Sequence, residues 1–239
     1  RSHFYGDHRA TNMAAYGQWE TRITRGFGLQ AGMRLENNAL NGRADSWVPL
    51  FRAGINMALA PMTALRASFG QGYRYPAIAE KYATTRMGAI QIFANPELEP
   101  ESGWNAEIGI KQGVLGPVWN GLFDIAVFYT RNKNLIEFLF GIYPDLQGDY
   151  GFGFRADNTE YSRVYGLELE SRFAARLGRT DLNIDGGYVY MHPVAFNPYT
   201  GQNTGDWLKY RRKHMGQLQA SLAYGKFVGG ITALYRSRM

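Results

Sequence analysis

The stretch GFGLQAGMRLE, Gly26 to Glu36, alternates without a break. Phe27, Leu29, Ala31, Met33 and Leu35 fall on one side, and Gly28, Gln30, Gly32, Arg34 and Glu36 on the other. A period of two is the mark of a β-strand with unlike faces, because a 3.6-residue helical period would mix the two sets. The pattern recurs about ten times along the 239 residues. Phe51 to Leu59 sets apolar side chains against Arg52, Gly54 and Asn56, and Leu65 to Phe69 does so against Arg66 and Ser68. Trp104 to Ile110 opposes Glu107 and Lys111, and Phe123 to Tyr129 opposes Asp124. Tyr165 to Phe173 opposes Glu168, Glu170 and Arg172, Leu182 to Tyr190 opposes Asp185, and Leu218 to Tyr224 opposes Gln217 and Gln219. The stretches Ala14 to Thr21 and Phe227 to Arg236 fit less cleanly.

No Asp, Glu, Lys or Arg falls on the apolar side of these clean segments. Lipid demands that exclusion, since a mid-bilayer Arg or Lys on a barrel wall costs about 2–4 kcal/mol. A sandwich core would show the same period, so the connections must decide. Short connections, near 22–25, 60–62, 113–121, 175–180 and 225–226, alternate with long ones, near 37–47, 73–100, 139–161 and 191–209. In an antiparallel meander this puts every short turn at one end and every long loop at the other, as in outer-membrane barrels. Strands of about 9–11 residues would then cross the bilayer. Trp104, Tyr129, Tyr190, Tyr224 and Tyr235, at stripe ends, suit interfacial girdles, although aromatics also favour strands in general.

Composition narrows the remaining classes. Aromatics are 15% of the chain and glycine occurs 29 times, which suits many strands and tight turns. There is no cysteine, so disulfides and thiolate metal sites are excluded. The +6 net charge is scattered except at Arg211-Arg212-Lys213, which favours a solvated rim over a nucleic-acid site. His3, His8, His192 and His214 lack zinc spacing, and neither Gly70-Gln71-Gly72 nor Gly151-Phe152-Gly153 opens a helix after a parallel strand. No Gly-x-Ser-x-Gly elbow occurs, and Glu97, Glu99 and Glu101 read as solvated loop carboxylates. Neither a catalytic site nor a cofactor is expected.

The segment from Ser68 to Gln112 carries the most specific signal. It contains Tyr73-Arg74-x-Pro76, then Asn95-Pro96-x-Leu98-x-Pro100-Glu101, then Glu107-x-Gly109. With Gly166-Leu167-Glu168 and the Leu208-to-His214 run, it resembles the barrel of TonB-dependent outer-membrane receptors from about Ala14 to Arg236. The prolines fix φ and remove amide donors, which stops pairing and shapes a loop; the plain reading is a rigid turn. The resemblance implies an all-β antiparallel transmembrane barrel, of which residues 1–239 supply about ten strands out of roughly 22. It also implies a plug domain inside the barrel, a TonB-binding segment and final strands, all lying outside this chain. Its ends read as internal, and the open edges of such a section suggest it does not fold alone.

By that resemblance the parent imports a scarce nutrient, with a ferric siderophore as the default ligand. Its partners would be outer-membrane lipid, its own plug, TonB and a small-molecule or metal-chelate ligand. Arg34, Arg52, Arg66, Glu107, Lys111, Glu168, Glu170 and Arg172 would line the lumen, where mixed charge fits a plug surface or cross-strand ion pairs in an open channel. The long loops offer Arg74, Tyr75, Tyr82, Arg86, Phe93, Tyr143, Arg155 and Trp207, which could hold an anionic aromatic ligand or simply pack loop on loop. Two other classes stay open: a complete ten-stranded channel or barrel hydrolase, and a soluble sandwich that binds carbohydrate.

Overall fold

The computed structural model describes residues 4–88, 90–145, 147–159, 161–196, 200, 203–208 and 211–238. In chain order its elements are β1 (Ala10–Thr24), β2 (Phe27–Leu40), β3 (Arg43–Ala44), β4 (Val48–Ala60), β5 (Thr63–Arg74), α1 (Ile78–Tyr82), β6 (Thr85–Met87), β7 (Ile90–Phe93) and β8 (Glu101–Leu115). They continue with β9 (Trp119–Lys133), β10 (Ile136–Pro144), β11 (Tyr150–Asn158), β12 (Ser162–Leu177), β13 (Thr180–Phe196), β14 (Asn203–Trp207), β15 (His214–Tyr224) and β16 (Phe227–Arg236).

Among the described residues, one antiparallel meander forms the wall in the order β1-β2-β4-β5-β8-β9-β12-β13-β15-β16. Among the described residues its first and last strands do not pair with each other, so the sheet is open and not a closed ten-stranded barrel. Short turns join β1 to β2, β4 to β5, β8 to β9, β12 to β13 and β15 to β16 at one end. At the β12–β13 turn Gly178 takes φ +65°, where a side chain would be strained.

The wall is polarised in the sense that lipid requires. On β9 the apolar Phe123, Ile125 and Val127 are 45–49% exposed, whereas the intervening Asp124 and Ala126 are 8% and 2% exposed. A soluble sheet would bury the first set and wet the second. No second sheet covers the apolar stripes among the described residues: Met33, Phe51, Phe69, Ile108, Ile110, Leu218 and Leu222 are also exposed. The sandwich reading therefore fails. The outward series on β9 runs Trp119, Gly121, Phe123, Ile125, Val127, Tyr129. Ten steps of about 3.3 Å, on a strand tilted about 40°, rise about 25 Å, the height of an outer-membrane apolar band.

Two expectations need correction. Eight of the ten wall strands are longer than 9–11 residues, up to 17 in β13, so several run past the membrane, whereas β15 and β16 have 11 and 10. The connection after β2 is not a long irregular loop. Strand β2 continues to Leu40 and turns at once through Asn41 (φ +52°) and Gly42 (φ +80°) into β3. Asn-Gly turns so readily because both residues tolerate the left-handed region. The connections 73–100 and 139–161 are long, and they carry elements of their own that the alternation did not assign. They contribute α1, β6, β7, β10 and β11, and the four strands form a second sheet in the order β10-β11-β7-β6.

Candidate functional site

That second sheet stands at the long-loop end and joins two connections that are far apart in sequence. Strand β11, from the β9–β12 connection, runs parallel to β7, from the β5–β8 connection, with Gly153 opposite Gln91 and Arg155 opposite Phe93. Gly153 permits the approach, because a Cβ there would lie within 3 Å of the Gln91 main chain.

Polar side chains fasten this cap to the wall. Arg74, the last residue of β5, donates from Nε and Nη2 to Glu101, the first residue of β8, at 2.6 and 2.9 Å. Its Nη1 reaches both oxygens of Glu80 at 2.8 and 2.9 Å. Glu80 accepts from the Ala77 amide at 2.7 Å, which closes the first turn of α1. Glu101 also accepts from the Ile136 amide at the start of β10, at 2.6 Å. One carboxylate thus ties β5, β8 and β10 together.

The Asn95-to-Glu101 run is the seam between the two connections. The Asn95 side chain donates to the Ala156 carbonyl and to Asp157, both at 2.9 Å. Asn158 accepts from the Glu99 amide and donates to the carbonyls of Glu99 and Asn134. Asn134 in turn donates to the Glu99 carboxylate at 2.6 Å. Phe93, Leu98 and Ala156 in and beside this seam are buried, each no more than 2% exposed. Lys81 is buried with them, and its Nζ donates to the Leu98 carbonyl at 2.7 Å. Burial pushes the Lys81 ammonium below the ordinary lysine range, against a smaller upward pull from Asp45. Glu99 and Glu101, read from sequence as solvated, are fixed hydrogen-bonding groups.

The residues proposed for ligand contact fall into separate groups. Phe93, Tyr143 and Arg155 come together: the Arg155 guanidinium lies 4.4 Å from the centre of the Tyr143 ring, which is 5.8 Å from Phe93. Arg155 also pairs with Asp157 at 2.9 Å. Beside them Gln91, Asn95, Glu97 and Asp145 border an open cavity of about 290 Å³. Arg86 is exposed on β6, directly across from Gln91. Tyr75 and Tyr82 sit at α1 instead. Tyr75 lies under the Lys81 ammonium at 5.8 Å, and its hydroxyl is pushed up by burial and by the Asp45 carboxylate. Tyr82 stacks on His8 with centroids 3.8 Å apart. Arg74 is held by two carboxylates. Trp207 belongs to β14, opposite Val194, and its side chain lies outside the described residues. Sequence reasoning missed Glu80, Lys81, Asn134, Asn158 and Asp157; the one available cue was Glu80 three residues after Ala77 at a helix start.

All eight proposed lumen residues share the face opposite the apolar stripes. Arg66 on β5 pairs with Glu107 on β8 and, at 3.1 Å, with Asp124 on β9, which Lys111 also meets at 3.3 Å. To reach β9, Arg66 crosses Gly109, its partner on β8: a Cβ at Gly109 would lie 3.2 Å from the guanidinium carbon. Arg52 similarly lies over Gly32, and Arg34 pairs with Glu36 at 3.0 Å. On β12, Glu168 stands opposite Ala126, Glu170 opposite Asp124, and Arg172 opposite Asp185 of β13. Among the described residues no group of His, Asp and Glu could hold a metal ion.

An open antiparallel wall with hydrocarbon outside, paired charges inside and folded loops at one end is the construction of an outer-membrane transport barrel. The chain belongs to the TonB dependent receptor-like, beta-barrel family, whose sequence profile matches residues 2–238. Proteins of this family are receptors of the Gram-negative outer membrane rather than enzymes. Solved structures share the fold at low identity. The hemophore receptor HasR of Serratia marcescens, solved with its hemophore HasA and heme, is 15% identical with a TM-score of 0.74 over 95% of this chain and 44% of its own. The siderophore receptor PirA of Acinetobacter baumannii is 16% identical, with a TM-score of 0.63 over 91% of this chain and 32% of its own. The ferric-catecholate import receptor Fiu of E. coli K12 is 19% identical, with a TM-score of 0.64 over 96% and 34%. The chain thus spans less than half the length of these structures. No curated protein sequence matches it.

Proposed function

We propose that this wall and cap belong to a receptor that captures a metal chelate outside the cell, by default a ferric siderophore, and imports it with energy from TonB. The observation that carries this reading is the Arg155–Tyr143 stack, backed by the buried Phe93, at the long-loop end of a lipid-embedded wall. A guanidinium against an aromatic face suits an anionic ligand with flat, aromatic chelating groups. Arg86 adds a second cation on the same small sheet. In this proposal Arg74 organises the mouth, and Tyr75 and Tyr82 shape its side. The inner face around Arg34, Arg52, Arg66, Glu107, Lys111, Glu168, Glu170 and Arg172 seats a plug domain. Paired charges suit that role, because they present hydrogen-bonding edges without a net field that would trap a passing ion. TonB pulling on the plug would shift a two-state element from closed to open.

Deleting the complete gene and growing the strain under iron limitation tests the proposal. Single ferric catecholates, ferric hydroxamates and heme serve as alternative iron sources. The expected outcome is loss of growth on one ferric chelate, restored by the wild-type gene only while TonB is present. Unchanged growth on every source would remove the siderophore reading, and growth lost on heme alone would reassign the ligand.

A further inference from the structure

Residues 4–9, just before β1, form a strap that binds two separate parts of the long-loop end. Just past α1, the Thr84 amide donates to the Phe4 carbonyl at 2.7 Å. On α1 itself, the His8 ring lies flat against Tyr82, with centroids 3.8 Å apart and planes within 13° of parallel. At the β2–β3 turn, Asn41 meets the strap through three bonds. Its amide donates to the Arg9 carbonyl at 2.8 Å, its Oδ1 accepts from the Arg9 amide at 3.1 Å, and its Nδ2 reaches His8 Nδ1 at 2.8 Å. This contact lies one step beyond the β1–β2 ladder, whose last pair sets Ala10 opposite Leu40.

The donors and acceptors of this contact have one consistent arrangement. A backbone amide only donates, so the Arg9 N–H holds the Asn41 carboxamide with its oxygen toward Arg9 and its nitrogen toward His8. A carboxamide nitrogen also only donates, so His8 Nδ1 must be bare and the imidazole proton must sit on Nε2. We infer that His8 and Asn41 form a pH-sensitive latch between the strap and the β2–β3 turn, closed while the imidazole is neutral. A proton on Nδ1 sets donor against donor. Turning the carboxamide over would satisfy His8 but set its nitrogen against the Arg9 amide, so one bond is lost either way. An imidazole ordinarily takes that proton near pH 6.5, and the long-loop end of an outer-membrane barrel meets the outside medium. The Tyr82 contact survives protonation, because a ring face attracts a cation. Acid therefore releases the turn while the strap stays on α1. The charged and titratable groups around His8 are Asp7 and Arg9 on the strap, Tyr82 with Glu80 and Lys81 on α1, and Arg43 and Asp45 past the turn. Glu80 is held by Arg74, and the Lys81 ammonium by the Leu98 carbonyl. Carboxylates, phenols and guanidinium groups ordinarily titrate outside pH 5.5–7.5, where imidazole titrates within it.

Hydrogen exchange of the complete receptor in lipid nanodiscs, resolved to single amides and expressed as protection factors at pH 7.5 and 5.5, tests this. In wild type, protection at the Arg9 and Asn41 amides is expected to fall about three- to tenfold on acidification, as the loss of one hydrogen bond implies. The Thr84 amide, bonded to Phe4 at the other end of the strap, should keep its protection. His8→Asn places a carboxamide oxygen where Nδ1 stood, an acceptor that takes no proton, and should hold Arg9 and Asn41 equally well at both pH values. His8→Ala should leave them weakly protected at both. Equal wild-type protection at the two pH values would overturn the inference. So would a fall in His8→Asn as large as in wild type, which would mark another titrating group. A fall at Thr84 in step with Arg9 and Asn41 would overturn it too, by marking a general loosening in acid. Should His8→Ala fail to assemble, wild type against His8→Asn carries the same comparison.

Discussion

Arg74 and Glu101 meet in a two-bond ion pair, Nε to Oε2 at 2.6 Å and Nη2 to Oε1 at 2.9 Å, that closes the base of a 26-residue excursion. These are the arginine of the Tyr-Arg-x-Pro motif and the final glutamate of the Asn-Pro-x-Leu-x-Pro-Glu motif. Their bond gives a physical reason for the two motifs to occur together. It leads to the first prediction. Glu101→Ala should cost about 1–3 kcal/mol, because it strands the Ile136 amide and removes half of the Arg74 pairing. Hydrogen exchange should rise at Ile136 and through β10 while β8 and β9 stay protected. Unchanged exchange at Ile136 would contradict this role.

Gly109 and Gly72 make a contrasting pair on the lumen face. A Cβ on Gly109 would lie 3.0 Å from that of Ala126 and 3.2 Å from the Arg66 guanidinium carbon, whereas one on Gly72 meets nothing within 4 Å. Gly109→Val should destabilise the wall by about 1–3 kcal/mol by overpacking and by displacing Arg66 from Asp124. Gly72→Ala should leave stability within about 0.5 kcal/mol. Urea unfolding of the receptor in bilayers compares them, and equal midpoints would refute the crossing of Arg66 over Gly109.

The two faces of the wall should respond oppositely to one substitution. Ile125→Arg places a guanidinium in mid-membrane and should cost about 2–4 kcal/mol, whereas Gln219→Arg on the lumen side of β15 should cost about 0–0.5 kcal/mol. Refolding yields and unfolding midpoints in lipid vesicles read the difference. Similar costs at both sites would mean that the faces have been assigned wrongly.

Arg155 separates ligand binding from cap stability. Arg155→Ala removes the charge and the contact with Tyr143, and should weaken capture of an anionic chelate about tenfold or more. Arg155→Lys retains charge without the planar stacking and should fall between the two. Fluorescence quenching on titration with the chelate identified by growth gives the affinities. Identical affinities for all three would remove Arg155 from the site.

The wall was legible because lipid imposes its demand residue by residue: a face without charge is visible in a string of letters. Residues 26–36 and 123–129 declared both their strands and their faces this way. The cap was not legible, for two reasons. Phe138, Phe140 and Ile142 alternate with the same period as wall residues, but alternation does not name a partner, and β7 finds its own in β11 some sixty residues on. Arg74 reads as a free cation from its neighbours, and only the chain path brings Glu80 and Glu101 to it. The Asn41-Gly42 turn was in plain sight as a dipeptide, but it was absorbed into a long-loop reading by the polar residues that follow.

The parallel splice between β7 and β11 imposes a timetable. Gln91 leaves the ribosome well before Gly153, and β8 and β9 lie between them in the chain. Two remote segments are costly to align while the intervening chain is loose, so the mouthpiece has to wait for the wall beneath it. Assembly then runs from membrane outward, and a receptor caught midway would be a threaded but lidless cylinder section. Pulse-labelling during refolding would show amide protection at 153–155 trailing that of 123–129; simultaneous protection would break the timetable.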